Sequence, residues 1–184
     1  TPQLLSSWLD KHQGVLLSQT RKDPKWKSVQ SIRRTKLMAE YRNLALKGLY
    51  EINFDYLFVF DTDITLEEAL ISRMINILDL NSEIGMITPN TIQNVPDAYQ
   101  SKSDSSYYDS WALIDIRGNK GLSYASNPFL SFDDRHLWRS GLRINVQSAF
   151  GGAALIRGNL FKNGYIKWSG DNGCEHWDFC KRIR

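Results

Sequence analysis

The chain has 184 residues, 42% of them hydrophobic and 23% charged, as in one soluble globular domain large enough to bury a sizeable core. A net charge of +3 and a pI of about 8.8 suit an anionic small molecule such as a nucleotide, but are too slight to argue for nucleic acid. No apolar run approaches ~18 residues, so no membrane segment is expected, and no signal peptide is visible. The expected location is cytoplasmic (the host cytoplasm for a viral protein), with membrane association through regions outside this sequence left open. Cys174 and Cys180 do not have zinc-site spacing and read as two reduced thiols.

Taken in order, Thr1-Pro2 reads as a helix start, with Leu4, Leu5, Trp8 and Leu9 on one face and Gly14 as the stop. Val15 to Leu17 is a short strand candidate, and residues 20–28 form a basic, polar loop. A long helix is expected over roughly Val29 to Tyr50. Tyr56-Leu57-Phe58-Val59-Phe60 is apolar at every position, the pattern of a strand buried on both faces. Thr65-Leu66-Glu67-Glu68 fits a capping box, opening a helix to about Leu78. Ile84 to Ile87 is a second buried strand, and Asn90 to Ser106 a polar, exposed loop. Tyr107 to Ile116 is strand-like, Gly118 to Ser140 irregular, and Val146 to Ile156 a strand interrupted by Gly151-Gly152. Asp171 to Arg184 closes as a helix. Neither an internal repeat nor a low-complexity segment is present. This alternation predicts an α/β fold with a largely parallel sheet.

The chemistry starts at Asp61-Thr62-Asp63, where the apolar strand stops. Ligands of open α/β sheets bind outside the carboxyl ends of strands. Two carboxylates there suit Mg²⁺ or Mn²⁺, which also takes substrate phosphates as ligands. The bland alternative is a solvated turn with Asp63 at a helix N-terminus. A sharper rival is a haloacid-dehalogenase-like phosphatase, whose D-x-D-x-T motif matches Asp61 to Thr65, with Asp61 as nucleophile and Asp63 as general acid/base. Ile84 to Thr88 resembles the second motif of that family. Against it, more than fifty residues precede the first motif, and neither Phe132-Asp133-Asp134 nor Gly170-Asp171 makes a good final acidic motif.

Further segments tip the balance. Lys36 to Ala45 carries Arg42-Asn43 directly before the D-x-D strand. Tyr107 to Leu113 contains Tyr108-Asp109-Ser110-Trp111. Ala149 to Ala154 contains Gly151-Gly152, and Cys174 to Cys180 contains Glu175-His176-Trp177-Asp178. In this order they resemble GT-A fold nucleotide-sugar glycosyltransferases over nearly the whole chain. The resemblance is nearest to the branch of CAP59-like α-1,3-mannosyltransferases and related bacterial and large-DNA-virus enzymes. Thr1-Pro2-Gln3-Leu4-Leu5 is similar to the end of the turn that follows the first strand in such enzymes. The chain is therefore read as one GT-A domain over 1–184, incomplete at both ends and without that strand.

The resemblance implies a three-layer α/β/α domain with a central, mostly parallel sheet. It implies a metal-dependent glycosyltransferase that moves a sugar from a nucleoside diphosphate to an acceptor hydroxyl on a glycan. Mn²⁺ or Mg²⁺ is the implied cofactor, and a UDP-sugar, above all UDP-glucose, is favoured from commonest family usage alone. Asp63 would bind the metal, and Asp61 the ribose or the metal through water. Lys36, Arg42 and Asn43 would hold phosphate, carboxylate or nucleotide; surface positions are the plain alternative. Gly151 and Gly152 would admit the donor sugar, a strand bulge being the alternative. Asp109 and Trp111 would line the donor or acceptor pocket, though a core Trp is the plainer reading of the latter. In the last helix, many inverting relatives place their catalytic Asp where His176 stands, and these few residues do not decide between inversion and retention. Glu175, His176 and Asp178 are therefore all candidate bases. His176 is alternatively a third metal ligand, or, with Asp178, a cap on the helix. A non-catalytic nucleotide- or sugar-binding module remains the third functional reading.

Overall fold

The apolar pentapeptide is strand β1 (Tyr56–Phe60) in the computed structural model, which describes residues 2–18, 22, 31–93, 106–122 and 127–184. Its neighbours explain why its first four positions are apolar; Phe60, the last, is exposed. Leu57 and Val59 pack against the larger core, which includes Ala39, Leu46, Ala154, Ile156 and Phe179. Tyr56 and Phe58 turn the other way, onto Met74, Leu78 and Leu155. Successive side chains point to opposite faces, so a strand covered on both sides has no position left for a polar residue.

The first helix, α1, is Pro2–Leu9. Two later helices lie beyond one face of this sheet. α2 (Ile32–Lys47) contributes Ala39 and Leu46 to the larger core, and α5 (Glu175–Ile183) contributes Phe179 and Cys180. α2 also sits directly on the turn that leads into α5. A Cβ on Gly170 would lie 2.1 Å from the backbone nitrogen of Lys36, so only glycine fits there. The opposite face is covered by α3 (Leu70–Leu80).

The sheet itself departs from the parallel expectation. Its order is β1, β7 (Ala153–Arg157), β2 (Met86–Ile87), and β7 is antiparallel to both neighbours. β1 and β2 do run in the same direction across α3, as a β-α-β reading implies. They are not paired, because a strand from much later in the chain lies between them. Element alternation predicts pairing only when sequence neighbours are also neighbours in the sheet. The remaining pairings are antiparallel too: β3 (Ile92–Gln93) with β4 (Ser106–Tyr107), and β5 (Ile114–Asp115) with β6 (Val146–Ser148). The fold is thus mixed α/β with small antiparallel sheets among the described residues, and not a mostly parallel one.

Four local expectations also need correction. Val15 to Leu17 forms no strand; Val15 and Leu17 are exposed and pair with no strand among the described residues. The capping box at Thr65 does not form. α3 starts at Leu70 behind Ala69, because the chain stays irregular long enough to lay Ile64 over Gly152. The strand-like run from Tyr107 to Ile116 divides into β4 and β5 around a turn. The irregular Gly118–Ser140 contains α4 (Phe132–Arg139), capped by the Ser131 hydroxyl, which accepts from the Asp134 amide at 3.4 Å. α4 helps enclose a smaller core of Tyr107, Leu113, Phe129 and Ala149, joined by Trp138. Thr1, Val29, nearly all of the basic loop 20–28 and most of the polar loop 90–106 lie outside the described residues.

Candidate active site

Because β7 runs antiparallel to β1, with Phe60 opposite Ala153, the exit from β1 and the entry to β7 fall at the same end of the sheet. There the Asp61 amide donates to the Gly152 carbonyl at 2.7 Å, tying the D-x-D turn to the glycine pair. Gly151 and Gly152 have φ of +60° and +75°. A Cβ on Gly152 would lie 2.8 Å from Ile64 Cγ2 and 3.1 Å from the Tyr108 ring. What approaches these glycines is the chain itself, which draws residues 61–64 and the Tyr108 turn together.

Arg42 projects from α2 into this junction and organises it. Its terminal nitrogen donates to Asp61 Oδ1 at 3.0 Å, and its Nε faces Glu175 Oε1 at 3.7 Å. Its guanidinium lies over the Phe150 ring, 4.7 Å from the centroid, which favours a cation. One cation thus serves two carboxylates from two different elements. His176 stacks on Phe150 at 4.0 Å and places Nε2 3.5 Å from Glu175 Oε1. Burial holds the His176 pKa well below the ordinary histidine range, and the Arg42 charge adds to this. The ring is therefore neutral near pH 7, and its Nδ1 is buried without a hydrogen-bond partner among the described residues. Burial likewise pushes the Cys174 and Cys180 thiols up, so neither is a ready thiolate.

Asp109 lies on the turn between β4 and β5 and has φ of +63°, the one non-glycine residue with positive φ among those described. Its turn is pinned on several sides. The Tyr108 amide donates to the Thr91 carbonyl at 2.9 Å, and the Thr91 hydroxyl donates to Gly151 O at 2.6 Å. The Trp177 indole donates to the Trp111 carbonyl at 3.1 Å. Burial pushes the Asp109 carboxyl up to about 7, aided by Glu175 and Asp61 and opposed by the Ala112 amide and Arg42. Tyr108 is pushed up to about 12, first by burial and then by Asp63 and Asp61.

The structure brings Asp61, Arg42, Glu175, His176, Gly151, Gly152 and Asp109 into one neighbourhood. Asp63 is the exposed carboxylate of the turn, within electrostatic reach of Tyr108. The others are engaged elsewhere. Asn43 pairs its amide with the Trp168 backbone, donating to the carbonyl and accepting from the amide, each at 2.9 Å. Lys36 forms an exposed ion pair with Asp171 at 2.9 Å. Both Asp178 oxygens accept from Asn172 at 2.8 Å. Trp111 is half-buried beneath the Arg34 guanidinium. Among the described residues no three His, Cys, Asp or Glu side chains are placed to share a metal ion, so His176 is not grouped with Asp61 and Asp63 as a ligand set. A two-carboxylate site at Asp61 and Asp63, completed by substrate phosphates and water, does fit the donor set.

Sequence reasoning passed over Phe150, Tyr108 and Thr91, which shape the site. The first two lie inside the segments that carry the resemblance, but an aromatic gives no signal of which charged group it will face. Thr91 sits in a polar stretch with no motif at all.

Over residues 7–181 the chain matches the family described as Cryptococcal mannosyltransferase 1. The chain belongs to that family. It is accordingly an enzyme of the glycosyltransferase class, which sets aside the phosphatase and non-catalytic readings of the D-x-D turn. No curated protein and no solved structure matches it. No helix among the described residues is long and apolar enough to cross a membrane.

Proposed function

We propose that this enzyme transfers a sugar from a nucleoside-diphosphate donor to a hydroxyl of a glycan acceptor, within a GT-A-type domain. The observation that supports it most is the end of β1, in a chain of this family. There Asp61 is fixed by Arg42 and by Gly152, while Asp63 stays exposed one residue beyond Thr62. Such a turn offers one carboxylate of set position and one free to meet a ligand. Mn²⁺ or Mg²⁺ held by Asp61 and Asp63 would neutralise the diphosphate leaving group. Carboxylates outnumber the one guanidinium here, which suits a divalent cation followed by an anionic diphosphate. Arg42 is placed to share its charge with that diphosphate.

The family description makes mannose the first sugar to try, and UDP-glucose is the second. Calorimetry with UDP, GDP, UDP-glucose and GDP-mannose, with and without Mn²⁺, tests the reading. Metal-dependent nucleotide binding is expected. Absence of nucleotide binding under every condition would overturn it.

A further inference from the structure

Resting on the transferase reading, we infer that the acceptor glycan is acidic. Its anionic group is bound by Arg34 and Lys120, the two cations that stand over the adjoining indoles of Trp111 and Trp177.

Trp111 lies two residues beyond Asp109, on the turn whose Tyr108 ring meets Gly152, and Trp177 follows His176 in α5. The Trp177 indole N–H donates to the Trp111 carbonyl at 3.1 Å, so turn and helix meet at the border of the site. Each indole rests against the larger core, and each is partly exposed. An aromatic ring fixed by its inner side offers a rigid apolar surface on which the C–H side of a sugar ring can lie.

The Arg34 guanidinium lies 5.7 Å from the centroid of the Trp111 ring, and Lys120 Nζ lies 4.4 Å from that of Trp177. Neither cation makes an ion pair with a described residue. The aspartates of the α5 region are occupied by other groups. Asp171 meets Lys36, and Asp178 accepts from Asn172. A cation over a partly exposed ring is held weakly, whereas a charge-assisted hydrogen bond to an anion is strong. An arriving anion therefore draws both cations to itself and leaves the indoles to the sugar.

The donor has its own means of binding. At the D-x-D turn the carboxylates Asp61 and Asp63, with Glu175 and Asp109 close by, share the single guanidinium of Arg42. There a divalent ion and Arg42 meet the diphosphate. The positive charge over the tryptophans is additional to that need, and the acceptor is the other substrate that comes to this site. A uronic acid carboxylate and a sugar phosphate both supply the required anion.

The test is calorimetry on the full chain with Mn²⁺ and whichever of UDP or GDP binds. The probes are mannobiose, glucuronosyl-mannose and phosphorylated mannobiose. At least one acidic probe is expected to bind about tenfold tighter than mannobiose. The gap should narrow as salt is added. Which acidic probe binds separates the uronate from the phosphate. Arg34→Gln with Lys120→Gln should reduce the gap to about twofold, with nucleotide affinity within about threefold of wild type. Lys120 is exposed, so Lys120→Glu should fold as wild type; it should weaken the acidic probes and spare mannobiose. Equal binding of acidic and neutral probes overturns the inference and leaves the transferase reading standing. So does binding of none of them beside a bound nucleotide, an acid preference unmoved by the variants, or a matching loss of nucleotide affinity. A wild type that binds no nucleotide overturns both.

Discussion

Two ion pairs join α2 to the segment around the start of α5, and they differ in almost everything except distance along the chain. Lys36–Asp171 is exposed on both sides, at 54% and 65%. Arg42–Glu175 is enclosed, at 12% and 7%, and Arg42 carries Asp61 as a second partner. An exposed pair is screened by water and salt and can be lost with little consequence. A buried pair is no great source of net stability either, but breaking it strands a charge away from water. The site is built on the pair that cannot be half-removed. Any variant that keeps Glu175 and Asp61 but loses Arg42 leaves two carboxylates facing each other's field.

The largest expected effect is therefore Arg42→Ala. It should destabilise the fold by about 3–5 kcal/mol in denaturant titration. Lys36→Ala should leave the unfolding midpoint where it is; a comparable loss from both variants would break the contrast. Next comes Gly152→Ala, which forces a Cβ against Ile64 and Tyr108 at positive φ. It should cost about 1–3 kcal/mol and weaken nucleotide binding, because Asp61 hangs on the Gly152 carbonyl. A smaller, pH-dependent effect belongs to His176. Its folded-state pKa is depressed, so the unfolded chain binds more protons near and below the ordinary histidine value of about 6.5. Stability from this group is present above that pH and lost as the pH falls through it. His176→Phe, which keeps a ring against Phe150, should flatten that loss between pH 7 and 5 in thermal melts. Smallest in stability, yet complete in function, is Asp63→Ala. The exposed carboxylate should leave the melting temperature unchanged while metal-dependent nucleotide binding disappears. Retained metal-dependent affinity would contradict its assigned role.

Much of the frame could be read before the structure. β1 has the predicted bounds, α2 and α5 fall inside the predicted helices, and the glycine pair interrupts a strand region as expected. These are long or strongly patterned segments, where local periodicity and burial agree. α4 was missed although Ser131 and Asp134 give a capping signal, because Phe132 is exposed and the helix has only eight residues. Sheet order was missed for a different reason. No local pattern tells β2 that its partner is β7. The same limit holds at the site. The residues of the β1 turn, the glycine pair and the last helix stand out in the sequence. Which of them is enclosed and which open to a ligand depends on packing between distant segments. His176 looks like a base or a ligand in one dimension, and its ring turns out to be sealed against Phe150.

The place of β7 also has a bearing on how the molecule comes into being. Tyr56 lies opposite Arg157, so closing the β1–β7 ladder brings together positions about a hundred residues apart. Contacts of such long range slow folding, since the loop must close before the ladder rewards it. Asp61 takes its backbone partner from Gly152, and Arg42 its second partner from Glu175. During synthesis, β1 leaves the ribosome long before either. The D-x-D turn is thus among the early parts of the chain to be made and the last to become a site. Until β7 arrives, β1 presents two unpaired edges of apolar strand, which makes it the segment most in need of protection while the chain is unfinished.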